Sequence, residues 1–197
     1  MIRLSEALIR VETDLRAFGV RWALIGGLAV AVRAQPRQTW DVDVVLAFSE
    51  EAEVDRVVRN LRGRGYRDHP TEPMLQDRRT KRVIGVRLLV PSESQSELIV
   101  DLLFASAGVE PEIIAAAELL EVFPGVAVPV VRSGDLLALK VLAGRPKDLM
   151  DAEMLLERMS PADLQQTRET LELIDRRGFH QGKDLQLELT RILGTFR

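Results

Sequence analysis

The segment IGGLAVAVRAQPRQTWDVDVVLAF, residues 25–48, sets an Asp-Val-Asp inside a run that otherwise has the composition of a buried strand. Burying one ionised carboxylate without a partner costs several kcal/mol, and two side by side cost more. In a strand the side chains alternate, so Asp41 and Asp43 share one face while Trp40, Val42, Val44 and Leu46 share the other. A second apolar run, ELIVDLLFA at 97–105, carries Asp101 alone among aliphatic neighbours. If the two runs lie on adjacent strands, ~4.8 Å apart, the three carboxylates converge. The chain has no Cys and only two His, His69 and His180, which read as exposed loop residues. A cluster of carboxylates without sulfur or imidazole suits Mg²⁺ or Mn²⁺ and not zinc. A plainer arrangement uses the same residues: Asp41 and Asp43 near solvent at a strand end, with Asp101 paired to an arginine.

The glycines sharpen the choice. Gly26-Gly27 stands at an expected strand-to-helix turn, where backbone N–H groups and a helix N-terminus can cradle phosphates. Neither Gly-Gly nor D-x-D is specific alone; their spacing, with Asp41 fourteen residues after Gly27, is the informative feature. Arg33 and Arg37 flank the route between them, and Thr39 lies next to the acidic pair. Trp22 and Trp40 read as core residues.

The 197 residues suffice for one domain with an appended part. No run approaches the roughly 18 apolar residues of a membrane span, so a cytoplasmic protein is expected. Leu4, Leu8, Val11, Leu15 and Phe18 form a helical stripe ended by Gly19. A strand at 22–25, a helix at 28–34, a strand at 40–48 and a helix from Ser49, its expected cap, to about 61 follow. KRVIGVRLLV and ELIVDLLFA, separated by PSESQS, predict an antiparallel hairpin. Residues 111–121 predict a helix and VAVPVV a short extended piece. From Ser133 four helices are expected, near 134–144, 146–159, 161–177 and 183–195, with Pro146 and Pro161 in first turns and Leu185, Leu189, Ile192 and Phe196 on one face of the last. The reading is an α+β chain, with an α/β domain at 1–130 and a helical domain at 131–197.

Basic residues gather at Arg62, Arg64 and Arg67 and in DRRTKR, 77–82. Such a run suits a phosphate-contacting flap for RNA, or simply a solvated loop. On the helical part, Pro146 predicts a break that turns Arg145 and Lys147 toward the first domain, while Lys147 and Asp151 also fit an i, i+4 surface ion pair.

Two sets of residues resemble a known family. IGGLAVAVRAQPRQTWDVDVVL with Asp101 is similar to the signature of the polymerase-β-like nucleotidyltransferase superfamily. LKVLAGRPKDLMDAEML, 139–155, resembles the block that AbiEii-type nucleotidyltransferases carry, many of them toxins of toxin–antitoxin pairs; Lys140, Arg145, Lys147, Asp148 and Asp151 fall on its positions. The resemblance implies a nucleotidyltransferase fold, a small mixed β-sheet flanked by helices, followed by a C-terminal helical bundle. It implies transfer of a nucleoside monophosphate from an NTP to an acceptor hydroxyl, with Mg²⁺ or Mn²⁺ on Asp41, Asp43 and Asp101. Asp41 and Asp43 would bind the metal, and Asp101 would help deprotonate the acceptor. Gly26, Gly27, Arg37, Thr39, Lys140, Arg145, Lys147 and Asp148 would form the nucleotide site. RNA, with a tRNA 3′ end as one form of it, is the expected acceptor and an antitoxin an expected partner. A small molecule of the aminoglycoside type, a partner protein, or a non-catalytic module that kept the fold are the alternatives.

Overall fold

The computed structural model describes residues 2–195 except 49, 78, 79, 92–97 and 105, and for residues 2, 3 and 51 the backbone alone. Ser49 as a cap, nearly all of the expected hairpin turn, Arg78, Arg79 and Phe196 therefore lie outside the described residues. Helix α1 (Ile2–Ala17) buries Ala7, Leu8, Val11 and Leu15. It ends as its sequence predicts: Gly19 takes a φ of +68°, and the Val20 N–H donates back to the Leu15 carbonyl at 3.1 Å.

Strand β1 (Arg21–Leu24) leads into α2 (Gly26–Arg33), which begins two residues earlier than the sequence suggests, so both glycines belong to its first turn. Next come β2 (Asp41–Ala47) and α3 (Glu51–Gly63). The polar stretch expected to be turns contains two short strands, β3 (Arg67–Asp68) and β4 (Met74–Gln76). Strands β5 (Val83–Val90) and β6 (Leu98–Leu103) form the expected antiparallel pair.

One stretch departs from its prediction. Helix α4 (Glu110–Ala115) stops where the 111–121 helix was to continue, and β7 (Glu118–Phe123) replaces its second half. The sequence ELLEVF favours a helix locally, but β8 (Val126–Val130) returns along it across Pro124-Gly125, where Gly125 has a φ of +77°. Non-local strand pairing overrides the local preference. Trp40 also departs: it is 75% exposed because it precedes the first residue of β2, whereas Trp22 is buried as expected. His69 and His180 lie in loops but are half-buried, each accepting a backbone N–H at Nδ1.

The sheet order is β3-β5-β6-β2-β1-β8-β7, with β4 also on β5. Pairing is parallel for β2/β6 and β1/β8 and antiparallel elsewhere, so the sheet is mixed. The helical part follows as α5 (Ser133–Ala143), α6 (Pro146–Leu156), α7 (Pro161–Arg176) and α8 (Leu185–Gly194). Helix α5 buries residues on every side, the pattern of a central helix. Leu136, Leu137 and Val141 from α5, Leu155 from α6 and Leu171 and Ile174 from α7 join Leu24, Val44 and Leu102 of the sheet in one core.

The first turn of α5 carries a buried carboxylate, Asp135, satisfied by Thr170 Oγ1 at 2.7 Å, Gln166 Nε2 at 3.2 Å and Arg132 Nε at 3.2 Å. Close approach of α5 and α7 depends on Gly134, where a Cβ would stand 2.5 Å from the Asp163 carbonyl oxygen. The Gly134 carbonyl accepts from Thr167 Oγ1 at 3.0 Å. Gly134→Ala is expected to lower unfolding free energy by about 1–3 kcal/mol through this overlap, read as a lower urea midpoint at unchanged slope. An unchanged midpoint would show that the two helices separate freely.

Candidate active site

The three acidic residues reach one point because of strand register. Strands β2 and β6 run parallel with Asp43 opposite Asp101, and Asp41 stands two residues before Asp43 on the same face. One oxygen from each of Asp41, Asp43 and Asp101 lies within 4.8 Å of the others. All three line a cavity of about 470 Å³ between the sheet and α5. The donor set is carboxylate only, which fits a hard divalent cation such as Mg²⁺ or Mn²⁺.

Gly26 and Gly27 are required by contact and not merely by turn geometry. Gly26 has a φ of +65°, and a Cβ there would fall 1.8 Å from Asp43 Oδ2. A Cβ on Gly27 would meet Thr39 Oγ1 at 2.6 Å and Arg37 Nη2 at 2.7 Å. The N-terminus of α2 thus lies directly against the acidic group, fastened by the Ile25 N–H donating to the Asp43 carbonyl at 2.9 Å. Thr39 Oγ1 donates to Asp41 Oδ1 at 2.8 Å, which fixes that carboxylate.

Opposite stands a chain of alternating charges. Arg37 pairs with Asp151 at 2.9 Å. Lys140, 6% exposed on α5, pairs with Asp151 at 2.7 Å and Asp148 at 3.3 Å. Arg145 closes the chain by donating from Nε to Asp148 Oδ2 at 2.5 Å and from Nη2 to Oδ1 at 3.1 Å. The break that the sequence predicts makes this possible. Gly144 ends α5 at φ +62°, Arg145 is extended, Pro146 opens α6, and Asp148 accepts the Arg145 backbone N–H at 3.1 Å. Lys147 lines the cavity without an ion pair among the described residues, so the Lys147–Asp151 surface pair is not formed; Asp151 is taken by Lys140 and Arg37.

These charges set the titration of the site. Burial, and then the charges of Asp41 and Asp101, push Asp43 up to about 7, while Lys140 and Lys147 act in the opposite direction. Burial also works against ionisation of Asp148, but the hydrogen bond from Arg145 and the charges of Lys140 and Arg145 outweigh it and hold that carboxyl below its usual range.

Other sequence candidates lie elsewhere. Arg33 donates to the carbonyls of Val130 and Val131 and pairs with Glu118, so it anchors α2 to the sheet edge. Arg62 pairs with Asp68, Arg64 with buried Asp14, and Arg82 stacks on Phe179 at 4.3 Å. The arginine partner of Asp101 that the plainer arrangement called for is Arg87, which the sequence reading did not name, and two further cavity residues escaped it. Arg87 grips Asp101 from β5, Glu72 holds Arg87, and Lys183 donates to the carbonyls of Leu142 and Ala143 at the end of α5. The one available signal was a lone Arg inside the apolar run VIGVRLLV, which demanded a partner across the hairpin.

Because Asp43 holds its proton more tightly folded than unfolded, its contribution to stability is complete at low pH and is lost as pH rises toward about 7. Asp43→Asn is therefore expected to melt a few °C above the parent at pH 8 in EDTA, with the gain largely gone at pH 4.5. Equal melting temperatures at both pH values would show that the carboxylate carries no such strain.

Several solved structures share this fold. An antigenic nucleotidyltransferase-like protein from Paracoccidioides brasiliensis superposes with a TM-score of 0.52 at 18% identity, covering 95% of this chain and 92% of its own. ANT(2'')-Ia in complex with adenylyl-2''-tobramycin gives 0.55 at 12% identity, covering 89% and 98%. At such identities the likeness is one of fold. A sequence search of curated proteins finds no match. The family described as nucleotidyl transferase AbiEii toxin, type IV toxin–antitoxin system, matches residues 10–195. The chain belongs to the AbiEii nucleotidyltransferase family and is an enzyme of nucleotidyl transfer.

Proposed function

We propose that the enzyme moves a nucleoside monophosphate from an NTP to a hydroxyl at the end of an RNA, as the toxin of a toxin–antitoxin pair with a cognate antitoxin. The observation that carries the reading is the meeting, in one cavity, of Gly26-Gly27, three carboxylates and a row of cations from α5 and α6. Each part answers one demand of the reaction.

Asp41, Asp43 and Asp101 would hold Mg²⁺ or Mn²⁺, which supplies charge neutralisation for the triphosphate and for the leaving pyrophosphate. The first-turn N–H groups of α2 face the phosphates. Arg37, Lys140, Arg145 and Lys147 oppose the charge that develops as the acceptor oxygen attacks the α-phosphorus and pyrophosphate leaves in line. Asp101 receives the proton of the attacking hydroxyl. Asp148 and Asp151 keep Lys140, Arg145 and Arg37 in place.

The RNA reading rests on the match to a toxin family, and the charge beside Asp101 does not decide it, because Glu72 and Asp101 share the single guanidinium of Arg87. The fold likeness to a structure holding adenylyl-2''-tobramycin keeps a small-molecule acceptor as the second reading.

Purified enzyme incubated with each α-labelled NTP, Mg²⁺ and bacterial tRNA is expected to label RNA. The pair Asp41→Asn with Asp43→Asn should reduce labelling by at least about 10²–10³-fold while the protein stays folded. Label on tobramycin but not on tRNA would replace the RNA reading with the small-molecule one, and full activity in the double variant would remove the mechanism. Lys147→Ala, at an exposed position, is expected to raise KM for the NTP about tenfold with little change in melting temperature. An unaltered KM would remove Lys147 from the nucleotide site.

A further inference from the structure

Asp101 differs from the other two carboxylates in having both oxygens held by one arginine. Arg87 stands directly across from it in the antiparallel β5/β6 register. Arg87 Nε donates to Asp101 Oδ1 and Nη2 donates to Oδ2, both at 2.7 Å, a bidentate fork that occupies each oxygen. The third arm, Nη1, pairs with Glu72 in the segment leading to β4. Asp41 gives one oxygen to Thr39, and among the described residues Asp43 accepts no side-chain hydrogen bond. The acidic group thus contains two available carboxylates and one held by a guanidinium that lines the same cavity.

We propose that Arg87 gates the third carboxylate, holding Asp101 back from cation coordination until nucleotide is bound. The proposal rests on the reading of Asp41, Asp43 and Asp101 as divalent-cation ligands. A cation ligated by Asp101 stands close to the guanidinium, and like charges in a partly buried cleft repel strongly. A cation arriving alone is therefore bound by Asp41 and Asp43. A bound triphosphate brings the negative charge that offsets Arg87 and lets Asp101 join. Glu72 makes the exchange feasible: it already holds one arm of the guanidinium, so the fork can shift toward it without leaving Arg87 unpaired. Release of Asp101 also frees an oxygen to take the acceptor's proton, which ties chemistry to nucleotide occupancy. Arg87 is a positioning residue in this scheme, acting through Asp101.

Mn²⁺ titration followed by electron paramagnetic resonance, without nucleotide, tests this apart from activity. Arg87→Met is expected to bind Mn²⁺ about tenfold more tightly than the parent. Asp101→Asn in the parent background, which leaves Arg87 without its fork, should weaken nucleotide-free binding less than the same change made in Arg87→Met, where Asp101 is free to act as a ligand. Arg87→Lys, which keeps the charge but loses the fork, should give a smaller gain, and it carries the test if the Met variant does not fold. With a non-hydrolysable NTP present, the difference between parent and Arg87→Met should narrow. Unchanged or weaker binding in both Arg87 variants, or an equal loss from Asp101→Asn in the parent and in Arg87→Met, would overturn the gate while leaving the metal reading intact. No Mn²⁺ binding by the parent, with or without nucleotide, would remove the metal reading and the gate with it.

Discussion

Repulsion among three carboxylates on two neighbouring strands is the constraint around which this molecule is organised. Strand spacing and register force Asp41, Asp43 and Asp101 to within 4.8 Å of one another, in surroundings dry enough to lift Asp43 toward neutrality. The protein leaves the strain in place and surrounds it: Arg87 takes one carboxylate, a threonine hydroxyl steadies another, and the cations Lys140 and Lys147 act on Asp43 from across the cavity. Excess negative charge is what gives a site its attraction for a divalent cation.

The helical part is built to deliver the opposing charge. A lysine as buried as Lys140 is tolerated because two carboxylates share it, and each of those carboxylates also holds an arginine. The five charges from Arg37 to Arg145 therefore form one connected unit spanning the α2–β2 loop, α5 and α6. Removing one cation leaves its carboxylate neighbours with a single partner each, so the charges are bound more tightly as a set than as separate pairs. The left-handed Gly144 and the first-turn proline of α6 set the bend on which the unit depends.

What the sequence made legible were features in which local pattern and chemistry agree. Alternation placed Asp41 and Asp43 together, the lone Asp101 identified a neighbouring strand, and first-turn prolines and an apolar stripe marked helices of the C-terminal part. Features decided by distant pairing were not legible. Glu118–Phe123 reads as helix until β8 is known to lie beside it. The Arg87–Asp101 pair follows from the register of β5 against β6, which composition does not set. Trp40 looked like core, since an aromatic next to a buried strand usually is, but the sheet ends one residue too soon to cover it. Asp151 offered a neighbour at i−4, and the fold gave it two stronger partners from other elements.

The cavity draws its walls from widely separated parts of the chain, from Ile25 to Lys183. Lys183 reaches it by fastening onto the end of α5, and Arg82 stacked on Phe179 holds the neighbouring segment down. During synthesis the acidic strands leave the ribosome long before these closing residues do. A partly made chain therefore carries its carboxylates in an open cleft, without the wall that excludes water. The order of translation therefore delays completion of the cavity until the chain as far as Lys183 has been made.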